Sequence, residues 1–471
     1  MLSLDLGALA RAAEATMLGG GLPVQIRAVG TDTRSLPPDC LFVALRGERF
    51  DGHAYLDVAA KKGAIAALVD SFDSSRVPPL PLLVVEDTLV ALGRIAQYVR
   101  RQRKGKVVGV TGSNGKTTTK ELVAQALSPL GEVHRTRGNL NNRIGVPLTV
   151  FDWSPSAWAA VIEMGMNEAG EIAALADIAE PEVGVITTVG PAHLEKLGSL
   201  ENIARAKGEL FASLSPSATA IVNVDDTLIQ RIAWPLFRGD RLIGFVRADR
   251  ADVRLIEAAS VHGGISASFE ILGQRYEVSL AVPGLHNASN AGAALACALA
   301  LDVPMSEAVA AMADTQFPGS RLRGLRDLHS GISILDDSYN ANPQSVAAAL
   351  VALKELTSGR RIAVLGDMME LGVRAEAMHF ETGERAAESG VAWPVTIGEL
   401  SRAITRGARS AGGRADHFES ISELVDALSG GVRAGDWLLV KGSRGMRMER
   451  VVEFFESSSA DGFVRQPGGV D

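Results

Sequence analysis

The chain has 471 residues, of which 46% are hydrophobic and 22% charged, and its formal net charge is −8. The length exceeds what one hydrophobic core usually organises, so we expect a globular protein with two or three domains. The acidic balance excludes a general surface for nucleic acid or other polyanions. An anionic substrate must therefore meet local basic groups or backbone amides.

The amino-terminal segment 1–16 is typical of an amphipathic helix and lacks the basic start and apolar core of a signal peptide. No stretch reaches about 18 uninterrupted apolar residues, so the sequence predicts no membrane span. Cys40 and Cys297 are far apart in apolar surroundings, which favours two buried thiols in a reducing compartment over a disulfide. We therefore predict a cytoplasmic protein, and we expect it to act as a monomer.

Strand and helix patterns divide the chain into three segments. The first, 1–105, contains short strand patterns and ends in the basic run RRQRKGK, which we interpret as the solvated face of a domain joint. The second, 106–318, alternates apolar strands with helices, the pattern of a parallel sheet covered by helices, and contains a β-rich insertion within 252–282. The third, 319–456, repeats this α/β style. The tail, 457–471, has no packing pattern and is predicted to be flexible.

A short apolar strand, 107–111, leads into a glycine-rich loop that opens a helix. In such a loop the glycines let backbone N–H groups face phosphate oxygens, and the helix start adds its positive end. Val110 stands where the general P-loop pattern has glycine, so a glycine-rich turn without a ligand is the alternative. The residues predicted to surround a nucleotide phosphate are Thr111, Gly112, Ser113, Asn114, Gly115, Lys116, Thr117 and Thr118. Lys116 can reach the β- and γ-phosphates, and the Thr117 hydroxyl can ligate Mg²⁺.

Two side chains follow apolar strands that point toward the same edge of the predicted sheet. Glu163 ends the strand AAVIE, where a second contact to Mg²⁺ belongs in a P-loop protein. His193 follows the strand VGVITTVG, and open parallel sheets bind ligands at the carboxyl ends of their strands. The alternatives are a salt-bridged glutamate at the strand end and a histidine with a structural role.

Lys207 occupies a position on the apolar face of the predicted helix 200–214. The apolar stripe consists of Leu200, Ile203, Leu210, Phe211 and Leu214, and Lys207 fills the remaining position of that stripe. A lysine on a buried face is costly unless it is paired or chemically altered. Spacing alone leaves two interpretations open: a buried ion pair, or a lysine that CO₂ has carbamylated into a carboxylate able to hold Mg²⁺.

Polar residues in the last two segments suggest contacts to the rest of a nucleotide. Asn287 and Asn290 are spaced to lie on one face of a helix and can offer amides to a base or ribose, although helix capping by Asn287 explains it equally well. Arg321 follows a Pro-Gly turn and is suited to γ-phosphate charge. Asp336 and Asp337 end the strand GISILDD as candidate acceptors for ribose hydroxyls, and Asp367 ends a later strand and points to a cleft between domains.

In their order along nearly the whole chain, these segments resemble the Mur ligase family. The segments that carry the resemblance are TGSNGKTTTKE, GNLNNRIGVP, VGPAHLEKLGSLENIARAKGE, GLHNASNAGAALA, PGSRL, DDSYNANPQS, VLGDMMELG and VKGSRGMRMERVVE. The resemblance implies an α/β fold of three domains: a central P-loop domain with a mostly parallel sheet, a small α/β N-terminal domain, and a Rossmann-like C-terminal domain that closes over the site and binds the amine substrate. The short loop TGxNGKTT is this family's form, which accounts for Val110.

The resemblance also implies residue roles. Thr117, Glu163, His193 and N-carbamylated Lys207 match the family's Mg²⁺ environment, and Lys116, Lys207, His193 and Arg321 match its catalytic groups. Asn287, Asn290 and Asp337 are similar to adenosine-binding positions, and Arg321 to the arginine at the γ-phosphate of ATP. The residues that match the site for a uridine-nucleotide substrate are Thr33, Arg34, Arg46, Asn139 and Asn142.

Within the family, DSYNANPQS and LGDMMELG are most similar to the members that add D-alanyl-D-alanine to a UDP-N-acetylmuramoyl tripeptide through an acyl phosphate. No DNPR-like segment of the kind that selects diaminopimelate is present. The resemblance thus implies an ATP-dependent ligase of peptidoglycan biosynthesis, with consequences for cell-wall formation, cell shape and cell division. The alternatives are the tripeptide-forming and folyl-polyglutamate ligases, a phosphotransferase that stops after phosphoryl transfer, and a nucleotide-dependent switch.

Overall fold

The computed structural model describes residues 4–19, 24–47, 50–73, 75, 77–261, 263–317, 319–327, 330–458 and 463–465. Over these ranges the chain forms three main sheets, one in each of the three predicted segments, and two short ribbons near the amino terminus. No helix in the described ranges is long and apolar enough to cross a membrane.

The N-terminal domain is built on a five-stranded sheet in which β4, β5, β8 and β9 run parallel and β2 pairs antiparallel with β9. Its strands are β1 (Leu4–Asp5), β2 (Thr16–Leu18), β3 (Gln25–Ile26), β4 (Ala28–Gly30), β5 (Cys40–Val43), β6 (Arg46–Gly47), β7 (Phe50–Asp51), β8 (Ala64–Val69) and β9 (Leu82–Val84). Its helices are α1 (Leu6–Ala12), α2 (Leu56–Lys61) and α3 (Thr88–Arg101).

The middle domain is built on a nine-stranded sheet of order β11-β12-β10-β13-β14-β15-β16-β17-β18. Its strands are β10 (Lys106–Thr111), β11 (Val133–Arg135), β12 (Ala159–Glu163), β13 (Val183–Ile186), β14 (Thr219–Asn223), β15 (Arg241–Val246), β16 (Val253–Val261), β17 (Gly264–Ile271) and β18 (Gln274–Leu280). Its helices are α4 (Lys116–Leu127), α5 (Gly145–Phe151), α6 (Glu171–Ala179), α7 (Leu194–Leu197), α8 (Leu200–Ser213), α9 (His286–Ala300) and α10 (Met305–Met312).

All pairs from β11 to β16 are parallel, which confirms the predicted mostly parallel central sheet. The β-rich insertion does not form a separate unit. Instead, β16, β17 and β18 pair antiparallel and extend the same sheet at one edge. Strands β10, β12 and β13 lie next to one another, so the segments that follow their carboxyl ends meet in space.

The C-terminal domain has a seven-stranded sheet of order β23-β22-β21-β24-β20-β19-β25, parallel from β23 to β20. Its strands are β19 (Arg323–Asp327), β20 (Ser333–Asp336), β21 (Arg361–Gly366), β22 (Trp393–Ile397), β23 (Asp416–Phe418), β24 (Trp437–Lys441) and β25 (Phe463–Arg465). Its helices are α11 (Pro343–Leu356), α12 (Ala375–Glu388), α13 (Arg402–Ser410), α14 (Ile421–Gly431) and α15 (Glu449–Ser458).

Two parts of the tail predicted to be flexible, 457–471, lie in regular elements. Helix α15 continues to Ser458, and residues 463–465 form β25, which pairs antiparallel with β19 at the edge of the C-terminal sheet. Backbone hydrogen bonds to an open sheet edge order this short segment although its sequence has no apolar periodicity. The other tail residues, 459–462 and 466–471, lie outside the described residues.

The N-terminal and middle domains share a hydrophobic core. Leu92 and Ile95 of α3 belong to the same buried cluster as Ile172 and Leu175 of α6. This shared core fixes α3 against the middle domain just before the chain enters β10. The remaining apolar side chains of the middle domain form a second cluster on the other face of its sheet, where α4 packs against α9.

Candidate active site

The loop between β10 and α4 has the backbone conformation that phosphate binding requires. Gly112, with a φ of +151°, and Gly115, with a φ of +80°, both adopt conformations that favour glycine. A Cβ on Gly112 would lie 1.9 Å from Thr187 Oγ1, and a Cβ on Gly115 would lie 2.4 Å from Asn290 Oδ1. Both positions therefore exclude a side chain, which lets the loop pass close to a phosphate at the start of α4.

Val110 occupies the position of the first glycine in the general P-loop pattern, and it lies inside β10 with its side chain fully buried. The strand continues to Thr111, whose Oγ1 donates a hydrogen bond to Met164 O at 2.8 Å. The loop therefore begins at Gly112, and a valine at position 110 packs in the core of the sheet.

Lys116 and Thr117 begin α4 beside a carboxylate from the neighbouring strand. The Lys116 Nζ atom donates to Gly112 O at 2.7 Å, and Thr117 Oγ1 donates to Glu163 Oε2 at 2.9 Å. Burial lowers the pKa of Lys116, the Glu163 carboxylate raises it, and the charge of Arg321 lowers it further. Two cationic side chains from different domains thus act on the same small volume.

Glu163 is held by three hydrogen bonds. Its Oε1 atom accepts from Asn141 Nδ2 at 2.8 Å, its Oε2 atom accepts from Thr117, and its backbone N–H donates to Thr136 Oγ1 at 2.9 Å. Sequence reasoning missed Asn141 and chose its neighbours Asn139 and Asn142. Both of these also line the pocket, but the Asn142 side chain accepts from the backbone N–H groups at the start of α5.

His193 has a φ of +61° and immediately precedes α7. Its Nδ1 atom lies 2.5 Å from Glu370 Oε2, and this contact lowers the pKa of the Glu370 carboxyl. The backbone N–H of Glu195 also donates to Glu370 O at 3.0 Å. Glu370 belongs to the C-terminal domain and was not among the predicted site residues. It contacts the middle domain through His193. Its position within LGDMMELG was the available signal.

Lys207 lies on the buried face of α8 and is 1% exposed. Within the described part of the chain, no hydrogen bond or ion pair to its Nζ atom is found. Burial lowers the pKa of this amine well below its ordinary value, and the nearby charge of Lys116 lowers it further. Both effects favour the neutral, nucleophilic form of the amine.

Asn287 and Asn290 are buried, and Asn290 ties α9 to the first turn of α4. Asn290 Nδ2 donates to Asn287 Oδ1 at 2.8 Å, and Asn290 Oδ1 accepts from Thr119 Oγ1 at 3.2 Å. Asn287 Nδ2 donates to Pro283 O at 2.9 Å rather than capping the helix. Both side chains line the pocket.

The C-terminal domain supplies the opposite wall. Arg321 stacks over the Tyr339 ring, with its Cζ atom 4.2 Å from the ring centroid. Asp337 Oδ2 lies 2.5 Å from Lys441 Nζ. Burial raises the pKa of Asp337, and the Lys441 charge partly counters that effect. Sequence reasoning selected Arg321 and Asp337 but missed Tyr339 and Lys441, although both stand in segments quoted for the family resemblance.

Two residues of α11 and its cap bind the phosphate loop directly. Asn114 Nδ2 donates to Gln344 Oε1 at 2.9 Å, and Asn342 Nδ2 donates to Asn114 Oδ1 at 2.8 Å. Asn342 also caps α11 by accepting from Ser345 N. A Cβ on Gly190 would lie 2.1 Å from Gln344 Oε1, so the glycine leaves room for this contact. The middle and C-terminal domains therefore meet at the loop itself.

The two domains enclose a pocket of about 470 Å³. The predicted site residues that line it are Ser113, Asn114, Gly115, Lys116, Thr117, Thr118, Asn139, Asn142, Glu163, His193, Asn287, Asn290, Arg321 and Asp337. Thr111, Gly112 and Lys207 do not line it in the described structure. Asp367 also stays outside, because its carboxylate accepts from Ser401 N at 2.7 Å.

The residues predicted in the N-terminal domain lie away from this pocket. Arg34 is exposed and its Nη2 lies 2.6 Å from Asp32 Oδ2, and Arg46 pairs with Asp70 at 2.8 Å and with Asp51. Thr33 is half-buried in the same loop as Arg34. The structure therefore gives these residues no contact with the phosphate loop.

Known proteins are similar to the chain over nearly its whole length. Three family models match the chain in order: "Mur ligase family, catalytic domain" over residues 25–100, "Mur ligase middle domain" over 110–298 and "Mur ligase, glutamate ligase domain" over 321–444. A UDP-N-acetylmuramoyl-tripeptide–D-alanyl-D-alanine ligase of Escherichia coli (strain K12) is 38% identical over 93% of this chain and 95% of its own length.

Two crystal structures show the same architecture. MurF from Acinetobacter baumannii superposes with a TM-score of 0.89 at 31% identity, covering 96% of this chain and 98% of that one. MurF from Thermotoga maritima in complex with ADP superposes with a TM-score of 0.81 at 28% identity, covering 92% of this chain and 98% of that one. The chain belongs to the Mur ligase family.

Proposed function

We propose that this chain is the ATP-dependent ligase that adds D-alanyl-D-alanine to a UDP-N-acetylmuramoyl tripeptide. The product is the pentapeptide precursor of peptidoglycan, and ADP and phosphate are released. The observation that carries the proposal is the pocket between the middle and C-terminal domains, which joins a phosphate loop to cationic groups from both domains. The relatives that bear this activity in their names match the chain over nearly its whole length.

In this proposal the pocket binds ATP. Its β- and γ-phosphates lie against the loop from Ser113 to Thr118, with Lys116 and Arg321 as the positive groups beside the γ-phosphate. Stacking on Tyr339 holds the Arg321 guanidinium in place. Asn287, Asn290 and Asp337 serve the adenosine. The Thermotoga protein, which binds ADP in its crystal structure, supports nucleotide binding by this fold.

The donor groups of the pocket suit Mg²⁺. In the described residues, no three histidine, cysteine or carboxylate side chains cluster as ligands. The protein instead offers the Thr117 hydroxyl and the Glu163 carboxylate 2.9 Å apart, with His193 in the same pocket. Mg²⁺ takes few protein oxygens and keeps substrate phosphates and water as its other ligands. When bound, the ion neutralises charge on the β- and γ-phosphates.

Lys207 is proposed to be N-carbamylated. Its amine attacks the carbon of CO₂ and releases one proton, which leaves a carbamate in place of the ammonium. Burial and a lowered pKa favour the neutral amine that this reaction needs. The proposal also explains why a buried lysine has no polar partner among the described residues, since the modified side chain is the species that the Mg²⁺ site would use.

The reaction needs two steps in one closed site. First, an oxygen of the tripeptide's terminal carboxylate attacks the γ-phosphorus, the bond to the β-phosphate oxygen breaks, and ADP leaves. Next, the amine of D-alanyl-D-alanine attacks the carbonyl carbon of the acyl phosphate, phosphate leaves, and the nitrogen loses a proton. Lys116 and Arg321 stabilise charge on the transferred group. The contacts of Asn114 with Asn342 and Gln344 keep the domains together, which protects the acyl phosphate from water.

The uridine-nucleotide end of the acceptor is assigned to the N-terminal domain, with Thr33, Arg34 and Arg46 as its contacts and Asn139 and Asn142 nearer the reacting carboxylate. Arg46 must then exchange its ion pairs with Asp70 and Asp51 for contacts with the substrate. We further infer a monomer that works in the cytoplasm. The two free, buried cysteines support a reducing compartment.

The test measures ADP and phosphate release by purified protein with Mg²⁺, ATP and UDP-N-acetylmuramoyl tripeptides that carry either diaminopimelate or lysine. Release should depend on D-alanyl-D-alanine, and the peptide product should gain one dipeptide. L-alanyl-L-alanine and single amino acids serve as matched controls. A stable phosphorylated product formed without any amine would support a phosphotransferase instead. Glutamate used in place of the dipeptide would support a folyl-polyglutamate type of ligase.

A further inference from the structure

A second cavity lies at the joint between the N-terminal and middle domains. Residues 102–105 and 153–158 line this joint cavity, which has a volume of about 470 Å³. It lies where the chain enters β10 and β12, whereas the phosphate loop and Glu163 follow the opposite ends of these strands. The two ends of β10 are roughly 17 Å apart, since a strand rises about 3.3 Å per residue. The joint cavity is therefore separate from the candidate active site.

The basic run before β10 is only partly neutralised. Arg100 Nη2 lies 3.2 Å from Glu182 Oε2, and Arg101 Nη2 lies 2.6 Å from Glu180 Oε1. Arg103, which lines the joint cavity, has no ion pair and no side-chain hydrogen bond among the residues that the structure describes. Burial lowers the pKa of Arg103, and no neighbouring carboxylate counters this effect. The run is predicted to be a solvated face, but one of its guanidinium groups, that of Arg103, is half-buried and has no counter-ion among the described residues.

Indole N–H groups add further donors without acceptors. The Nε atom of Arg103 and the Nε1 atoms of Trp153 and Trp158 are buried, and no hydrogen-bond partner for them is found in the described ranges. All three residues line the joint cavity, and Trp153 is 2% exposed. Buried donors of this kind are rarely left unpaired in native proteins. Three such donors around one cavity suit a ligand with acceptor oxygens.

The other groups around the joint cavity fit an anion. Lys104 adds a second positive charge to its lining, and the Arg100 guanidinium lies 5.3 Å from the centre of the Trp153 ring. The hydroxyls of Ser154 and Ser156 both donate hydrogen bonds to the Glu132 carboxylate. Glu132 itself does not line the cavity. The lining therefore offers two positive charges and three unpaired N–H donors, with the Glu132 carboxylate bound to its serine hydroxyls, and an occupant with negative charge and acceptor oxygens complements these donors.

We propose that the joint cavity binds a phosphate group, which Arg103 and Lys104 neutralise and the indole N–H of Trp153 recognises. A guanidinium presents two parallel N–H donors that match two oxygens of a phosphate. The cavity is large enough for either free phosphate or a small phosphate ester, and both share the same anionic group. Binding at this site does not depend on the proposed ligase activity.

The experiment follows the indole N–H signals of the full-length protein by heteronuclear NMR during titration with inorganic phosphate or glycerol 3-phosphate at constant ionic strength. The chain has five tryptophans, and the variants Trp153→Phe and Trp158→Phe assign the two signals of interest. Saturable shifts are expected for Trp153 and Trp158 but not for the other three. Saturation by the ester alone would identify an ester as the occupant.

Arg103→Met should weaken phosphate binding at least about tenfold, because it removes the charge-assisted bidentate contact. Arg101→Met is the matched control: it removes the same charge from the same run, but Arg101 pairs with Glu180 and does not line the joint cavity. If Arg103→Met does not fold, Arg103→Lys takes its place in the comparison with the Arg101 variant. The lysine keeps the positive charge but lacks the two parallel N–H donors of the guanidinium. The proposal is overturned by shifts that do not saturate with either probe, or by equal loss of binding in the Arg101 and Arg103 variants.

Discussion

Lys120 and Lys207 lie on two helices of the middle domain and are buried to the same degree, with exposed fractions of 0% and 1%, but their surroundings differ. Lys120 Nζ donates to Thr136 O at 2.7 Å and lies 2.9 Å from Glu121 Oε1. No such partner for Lys207 is found among the described residues, and burial together with the charge of Lys116 lowers its pKa.

This difference separates two uses of a buried lysine. The Lys120 ammonium has a carbonyl and a carboxylate as acceptors, so it ties α4 to the chain that follows β11. Thr136, whose carbonyl it binds, also accepts from the backbone N–H of Glu163. The region around Lys120 therefore aligns the proposed metal carboxylate, whereas the region around Lys207 leaves a buried amine without a polar partner among the described residues. Burial alone does not distinguish the two cases, but the partners do.

The largest effect is expected at Lys207. Lys207→Ala should lower ligase turnover at least about 100-fold, because removing one group that stabilises charge at a reacting phosphate costs roughly that much. A small carboxylic acid such as acetate or formate should restore part of the activity by replacing the carbamate. The measurement is the rate of ADP release with all substrates present. Full activity without added acid would remove Lys207 from the mechanism.

The lowered pKa of Lys207 also predicts the direction in which stability changes with pH. The pKa of unmodified Lys207 is lowered in the folded state, so the unfolded chain binds more protons between that lowered pKa and the ordinary lysine value of 10.5. In CO₂-free buffer, the free energy of unfolding should therefore rise with pH across this window. Lys207→Met should remove that slope and leave the protein as stable as before or more so.

Lys120 should respond in the opposite way to the same substitution. Lys120→Met leaves Thr136 O and Glu121 without a buried partner and should lower the free energy of unfolding by about 2 kcal/mol, the usual scale for a buried, charge-assisted contact. Glu121 keeps its ion pair with Arg135, which limits the loss. Chemical denaturation of both Lys→Met variants measures the contrast. Equal stability changes at the two positions would contradict the proposed difference between a paired and an unpaired buried lysine.

Several parts of the site followed from the sequence because neighbouring parallel strands present their carboxyl ends at one edge. The loop after β10 and the acid at the end of β12 were predicted on that basis, and the structure places Thr117 and Glu163 in hydrogen-bond contact. The burial of Lys207 likewise followed from the apolar stripe of α8. The order of parallel strands fixed the first two positions, and the periodicity of one helix fixed the third.

The contacts that sequence reasoning missed come from loops and helix ends far along the chain. Asn141 reaches Glu163 from the loop before α5, and Gln344 reaches Asn114 from the start of α11. Such residues have no periodicity that marks their direction, and the contact depends on how two domains dock. The strand β25 shows the same limit, because a free sheet edge rather than a local pattern orders it.

The smallest effect is expected at Thr136, which joins the Lys120 region to the proposed metal carboxylate. Thr136→Val keeps the shape of the side chain and the carbonyl that binds Lys120, but it removes the acceptor for Glu163 N–H. We expect a loss of about 1 kcal/mol in the free energy of unfolding and a few-fold higher Mg²⁺ requirement, because the carboxylate loses one constraint. Thr136→Ser retains the hydroxyl and should behave like the parent chain. If Thr136→Ser shifts the Mg²⁺ titration and Thr136→Val does not, packing of the threonine methyl group rather than its hydroxyl positions Glu163.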